Sequence, residues 1–200
     1  MIFLDLDNFK QGLFIRDRNR FYDFGKFQYF ILRFIKKNLS YISVNEESLI
    51  RTYAYTGEYS QRIIGKINDD IKKAEIIKRA DAQKKFFEIA KNFNLFEIKT
   101  LPLKYEDNKI VQKGIDVLLS TDIICNAFKD NYDLLILSSG DIDLVESVKV
   151  VKGLGKRVIV FSHKDICSKE LQREADFFIN IAKLKEEELN DFSRIKEQSM

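Results

Sequence analysis

Three short runs in this chain are apolar at almost every position, and each closes on a polar turn. They are Ile2-Phe3-Leu4-Asp5-Leu6, Asp133–Leu137 before Ser138-Ser139-Gly140-Asp141, and Arg157–Phe161 (Arg-Val-Ile-Val-Phe). A strand with one wet face alternates apolar and polar residues; a strand apolar throughout must be covered on both faces, the usual state of a parallel sheet sandwiched between helices. The intervening segments fit. Phe24–Leu39 carries Phe27, Phe30, Ile31, Phe34 and Ile35 at helical spacing. Ile63–Asn94 is a long, charged, helical stretch. Gly114–Phe128 predicts a helix, and Asp143–Leu154 another that stops at Gly155. Lys169–Glu174 is a short helix. Ser48–Thr56, rich in β-formers and ended by Gly57, predicts a strand, as do Phe96–Tyr105, where Pro102 marks an edge or a break, and Asp176–Ile181. The expected fold is therefore an α/β three-layer sandwich around a mostly parallel sheet, in residues 1–182, followed by a charged helical tail over 183–200. No repeat or linker divides it.

Size and composition narrow the function classes. Two hundred residues suit one domain, and 45% hydrophobic with 32% charged residues give enough apolar side chains for a core. Two cysteines, Cys125 and Cys167, are too few for a disulfide scaffold or a cysteine zinc site. A single histidine, His163, excludes a multi-histidine metal site and most histidine triads, and is expected on a surface or loop. No apolar run approaches the roughly 18 residues of a membrane span, and Asp5 and Asp7 arrive too early for a signal peptide, so a cytoplasmic setting is expected. The net charge of +3 is mild but uneven. Arg16–Lys37 has seven basic residues against two acidic, whereas Asp116–Asp143 has six Asp and one Lys. Such asymmetry suits an enzyme that holds phosphates on one surface and cations on another, although two solvated helix faces would look the same.

The acids fall where α/β sites form, at the carboxyl ends of strands. Asp5, Asp7 and Asn8 end the first strand. Lys113, Gly114 and Asp116 open a helix on which Asp122 follows. Ser139, Gly140, Asp141 and Asp143 end the Asp133–Leu137 strand. Converging carboxylates repel one another unless a hard cation joins them, and oxygen ligands suit Mg²⁺ or Mn²⁺, which can position phosphates and activate water for phosphodiester cleavage. Asp116 and Asp122 stand roughly 120° apart around a helix. Asp116 is thus favoured as ligand, and Asp122 as support or substrate contact. Each acid alone has a bland alternative: Asp143 with Glu146 has capping-box spacing, Asp141 can accept loop amides, and Asp116 can be an N-cap.

In order and spacing these residues resemble the NYN family of PIN-like nuclease domains. The resemblance starts with Ile2–Asn8, similar to a first strand ending in Asp-Gly-x-Asn. It continues through Arg51–Tyr55, Lys113–Asp122, Leu137–Leu144 (a Ser-Gly-Asp-x-Asp-Phe element), Gly155–Val158, and Leu171 with Asp176–Phe178. It implies a PIN-like, Rossmann-like sheet and an Mg²⁺- or Mn²⁺-dependent ribonuclease acting on RNA. Carried over residue by residue, it makes Asp5, Asp116, Asp141 and Asp143 the metal carboxylates, with Asn8 fixing the first Asp and Ser139 or Asp122 supporting the site. Asp7 replaces the family's Gly, Leu144 its Phe and Glu146 its frequent Pro.

Two other readings stay open. Asp5-Leu6-Asp7 also resembles the haloacid dehalogenase phosphatases, although those want a small hydroxyl residue where Asn8 and Phe9 stand. The fold could also serve as a non-catalytic RNA- or protein-binding module, and self-association is left open. No His, Cys or Lys is well placed as general base, so a metal is expected to generate the nucleophile. At least three of the four acids are expected to meet within ligating distance. Lys113 beside the site, and Arg16, Arg18 and Arg20 in a loop leaving the first strand, are expected to bind RNA phosphates.

Overall fold

A computed structural model describes residues 1–196. In chain order, β1 (Ile2–Asp5) passes directly into α1 (Leu6–Arg16), followed by β2 (Arg20–Tyr22), α2 (Phe24–Asn38) and β3 (Thr52–Glu58). Then come α3 (Gln61–Ile64), α4 (Asp70–Ala90), β4 (Phe96–Pro102) and a small hairpin of β5 (Lys104–Glu106) and β6 (Lys109–Val111). The remainder is α5 (Ile115–Phe128), β7 (Leu134–Ser138), α6 (Val145–Gly153), β8 (Arg157–Ser162), α7 (Lys169–Glu174), β9 (Phe177–Asn180), α8 (Glu186–Asn190) and β10 (Ser193–Ile195).

The runs that are apolar throughout form the middle of a six-stranded sheet of order β4-β3-β1-β7-β8-β9, parallel at every pairing. Alternate residues of each strand feed two cores. Ile2, Leu4, Ala54, Ile136, Ile159 and Phe161 face α1 and α2, while Phe3, Tyr55, Leu135, Leu137, Val158 and Val160 face α5, α6 and α7. The expected three-layer α/β sandwich is thus observed. The strand expected over Phe96–Tyr105 breaks at Leu103, and β4 is the sheet edge, as Pro102 suggests.

Two expectations need correction. The chain leaving β1 is helix, not loop: Asp5 is the N-cap of α1, its carboxylate accepting the Asn8 amide. Rather than returning along the sheet face at once, α1 crosses the carboxyl edge. Gly12 lies against His163 beyond β8, and the Arg16 guanidinium donates to the Leu184 carbonyl beyond β9. His163 stands in the loop after β8, one of its two expected settings, but is buried there rather than on the surface.

The second concerns the tail. Among the described residues its α-helix is Glu186–Asn190, and β10 then pairs antiparallel with β2. Leu184, Leu189 and Phe192 are buried in the core shared with α2. The Phe192 ring lies 4.7 Å from Phe30 and 5.4 Å from Phe27, centroid to centroid. Arg20 fastens the junction from within: it is 1% exposed and donates to Asp17, Glu186, Asn190 and Ser193. Residues 184–192 are therefore part of the domain's core, while 197–200 of the expected tail lie outside the described residues. Phe192→Ala should cost about 3–5 kcal/mol of stability, as for a fully buried aromatic. Urea denaturation measures this, and an unchanged midpoint would mean that the segment is an appendage.

Candidate active site

The site grows from one buried carboxylate. β1 lies between β3 and β7 with Leu4 opposite Ala54 and Ser138, so Asp5 emerges at the centre of the carboxyl edge. Asp5 is 4% exposed. One carboxylate oxygen accepts the Asn8 amide at 3.2 Å and the other the Ser139 hydroxyl at 3.1 Å. Burial pushes this carboxyl up to about 6, against the pull of those two hydrogen bonds and with a further push from the charges of Asp116 and Asp7.

Asn8 ties the two strand ends together. Its side-chain oxygen accepts the Gly140 amide at 2.9 Å. Gly140 then passes so close to the β8–α7 connection that a Cβ would stand 2.3 Å from the Ile166 carbonyl oxygen and 2.6 Å from the Cys167 Cα, both main-chain atoms. From there the chain hands on from residue to residue. The Asp141 amide donates to the Ser139 hydroxyl at 3.2 Å, and the Asp143 amide to the Asp141 carboxylate at 3.0 Å. Asp141, not Asp143, is the cap of the short 3₁₀ turn that precedes α6.

Asp116 approaches from the other side. Gly114, with φ of +84°, turns the chain into α5 and places Asp116 in the first turn. Its carboxyl is raised first by burial, then by the charges of Asp141 and Asp143. The acids thus form a graded edge: Asp5 buried, Asp116 and Asp141 half-buried, Asp143 exposed.

Among the described residues no three His, Cys, Asp or Glu side chains are grouped so as to hold a metal ion. This corrects the expectation that at least three of Asp5, Asp116, Asp141 and Asp143 meet at ligating distance. The reason is local: both Asp5 oxygens and one of Asp141's are turned to main-chain or hydroxyl donors. The donor chemistry, all carboxylate, nevertheless fits a hard cation such as Mg²⁺, which keeps several waters and needs only one or two protein carboxylates.

The remaining expected residues sort plainly. Ser139 and Asn8 support Asp5, Asn8 through its main-chain amide, while its side chain holds Gly140. Asp122 is engaged elsewhere, accepting from Tyr55 at 2.9 Å and Lys99 at 2.7 Å and so fixing α5 to β3 and β4. Lys113 is exposed and ion-paired with Glu106. Arg16, Arg18 and Arg20 do not line the approach. They lie at or beyond the far end of α1, about 16 Å from Asp5 by helix rise. Arg20 is buried in its own ion pairs, and Arg16 reaches Leu184 and Glu186.

Two further residues stand near the site: Asp7, whose role the sequence left open, and Lys10, which it did not single out. Asp7 is exposed, its carboxylate accepting the Thr56 hydroxyl at 3.2 Å. Lys10, one turn further along α1, lies 5.0 Å from the centroid of the Phe86 ring, and burial lowers its ammonium below the ordinary range. A lysine three residues after an acid that follows a strand is the signal that would have found it.

The sequence matches the NYN domain family over residues 1–182. The chain belongs to the NYN domain family. That family is part of the PIN-like nuclease superfamily, whose members generally use divalent metals, and NYN nucleases act on RNA; membership sets the haloacid dehalogenase reading aside. Among solved structures, a protein of unknown function, VPA0982, from Vibrio parahaemolyticus RIMD 2210633, is 22% identical. It superposes with a TM-score of 0.62 over 96% of this chain and 94% of its own, which shows a shared fold. No curated protein matches. No helix among the described residues is long and apolar enough to cross a membrane.

Gly140→Ala forces a methyl group into main-chain atoms that cannot swing away. The substitution should cost about 1–3 kcal/mol or more and should displace Asp141 from Asp5. Thermal unfolding reads the cost; a neutral result would show that the loop tolerates movement and that this contact does not position the acids.

Proposed function

We propose that the protein is a metal-dependent ribonuclease that hydrolyses RNA phosphodiester bonds at this acidic edge, with Mg²⁺ or Mn²⁺ as cofactor. The observation that supports the reading most is the run of hydrogen bonds carrying Asp5, Ser139, Asp141 and Asp143 along one sheet edge opposite Asp116. Asp116 and Asp141 would hold the ion, with Asp5 at its base and Asp143 on the solvent side. A divalent cation bound there supplies positive charge for the phosphate oxygens and lowers the pKa of water.

The chain's own residues set the geometry. Asp5 brings negative charge to a place that water reaches poorly, so a cation is favoured there more strongly than at an exposed acid. Asn8 and Gly140 keep the β1 and β7 ends in register, and Ser139 links Asp5 to the Asp141 amide. Asp143 is exposed, and its carboxylate would take a proton from an attacking water. His163 is buried beneath α1 and takes no part.

The test is incubation of the purified protein with end-labelled RNA, with and without Mn²⁺, beside Asp141→Asn. The wild type should cleave only with the metal. Asp141→Asn keeps the oxygen that accepts the Asp143 amide, so it should melt like the wild type while cleavage falls to about 1% or less. Equal RNA binding with and without metal, and no cleavage, would instead support a non-catalytic RNA-binding module. Full Mn²⁺-dependent cleavage by Asp141→Asn would remove Asp141 from the site.

A further inference from the structure

A cleft of about 510 Å³ opens beside the acidic edge, between α3 and the β5–β6 hairpin, at the carboxyl ends of β3 and β4. Arg62, Lys66, Lys104 and Lys113 line it, over an apolar floor from Leu101 to Leu103. Four cationic side chains share the cleft with one carboxylate, Glu106, which is paired with Lys113. That hydrogen bond, aided by the charges of Lys113 and Lys104, holds the Glu106 carboxyl below its usual range. Arg62, Lys66 and Lys104 make no ion pair among the described residues, although the surface carries many others. Unneutralised cations crowded in one concavity repel each other, and an anion relieves that cost.

Placement says which anion. Lys113 immediately precedes Gly114, the left-handed residue that turns the chain into α5, and Asp116 follows within the first turn. The cleft and the acids are therefore neighbours along one edge, with only two residues of chain between Lys113 and Asp116. The hairpin is held in place by Gln112, whose side-chain oxygen accepts the Gly57 amide at 2.7 Å. Tyr105 offers a half-buried ring inside the cleft, backed by the Lys72 ammonium 5.7 Å from its centroid. Cations tracking a backbone, with an aromatic face for a base, are the elements of single-strand recognition. The cavity's size suits a nucleotide or one strand, not a duplex.

We infer that this cleft binds the phosphate backbone of single-stranded RNA and leads the strand to the acidic edge, with Arg62, Lys66 and Lys104 on successive phosphates and Tyr105 against a base. The assignment rests on the ribonuclease reading for the direction of the strand, but binding is measured apart from cleavage. It also replaces Arg16, Arg18 and Arg20 as the groups that meet RNA.

The experiment is fluorescence anisotropy with a labelled single-stranded RNA oligonucleotide, in the Asp141→Asn background so that the probe stays intact, across a salt series. Replacing Arg62, Lys66 and Lys104 together with Ala should weaken binding about tenfold at about 50 mM salt, and should flatten the log–log salt slope by about 2, at roughly 0.7 for each phosphate no longer neutralised. Glu106→Gln removes the cleft's carboxylate and should tighten binding several-fold, a gain that misfolding cannot mimic. An unlabelled duplex of the same sequence should compete poorly. Unchanged affinity and slope in the triple variant, or equal competition by the duplex, would overturn the inference. If the wild type cleaves RNA while the triple variant binds normally, the cleft is wrong and the ribonuclease stands. If the triple variant loses binding while the wild type never cleaves, the cleft stands and the ribonuclease reading falls.

Discussion

Everything at the acidic edge depends on a carboxylate kept almost out of water. Asp5 sits at the end of the central strand with 4% exposure, and its two oxygens are met by the Asn8 amide and the Ser139 hydroxyl. A buried anion left without donors would be costly enough to stay protonated or to unfold its surroundings. These two donors come from the two segments that must be brought together, α1 and the β7 loop. Satisfying the charge therefore aligns the site, and the link between Asn8 and Gly140 locks the same two segments a second time.

The same economy explains what the acids do not do. A dedicated cage for a cation would leave several carboxylates facing each other with no donor of their own. Here the folding hydrogen bonds come first: Asp141 caps the turn before α6, and Asp122 braces α5 through Tyr55 and Lys99. What remains turned outward is a graded row of carboxylates, the donor chemistry that suits a hydrated divalent cation without enclosing it.

The sheet was legible because its strands are apolar on both faces, a pattern with few alternatives. Asp5, Asn8, Ser139 and Asp141 were legible because each stands at a strand end. The rest was hidden for physical reasons. α1, Leu-Asp-Asn-Phe-Lys-Gln-Gly-Leu-Phe-Ile-Arg, has no clean apolar stripe, since it lies across the sheet edge rather than flat on a face. Arg20 looks like any surface arginine until Glu186, Asn190 and Ser193 arrive from far along the chain. The tail reads as charged because Lys and Glu outnumber the three residues, Leu184, Leu189 and Phe192, that carry its burial. The basic cleft draws Arg62 and Lys66 from one segment and Lys104 and Lys113 from another, so no local run of charge announces it.

The pairing of β10 with β2 has a consequence for how the protein is made. The aromatic cluster of Phe27, Phe30 and Phe192 joins an early helix to a segment translated more than 160 residues later. At roughly 5–20 residues per second, the ribosome leaves that cluster incomplete for on the order of 10 s. During that interval α2 presents Phe27 and Phe30 with no Phe192 to cover them, and the sheet's central strands are arriving one at a time. The nascent chain thus carries its most aromatic surface uncovered until the last turn of core emerges.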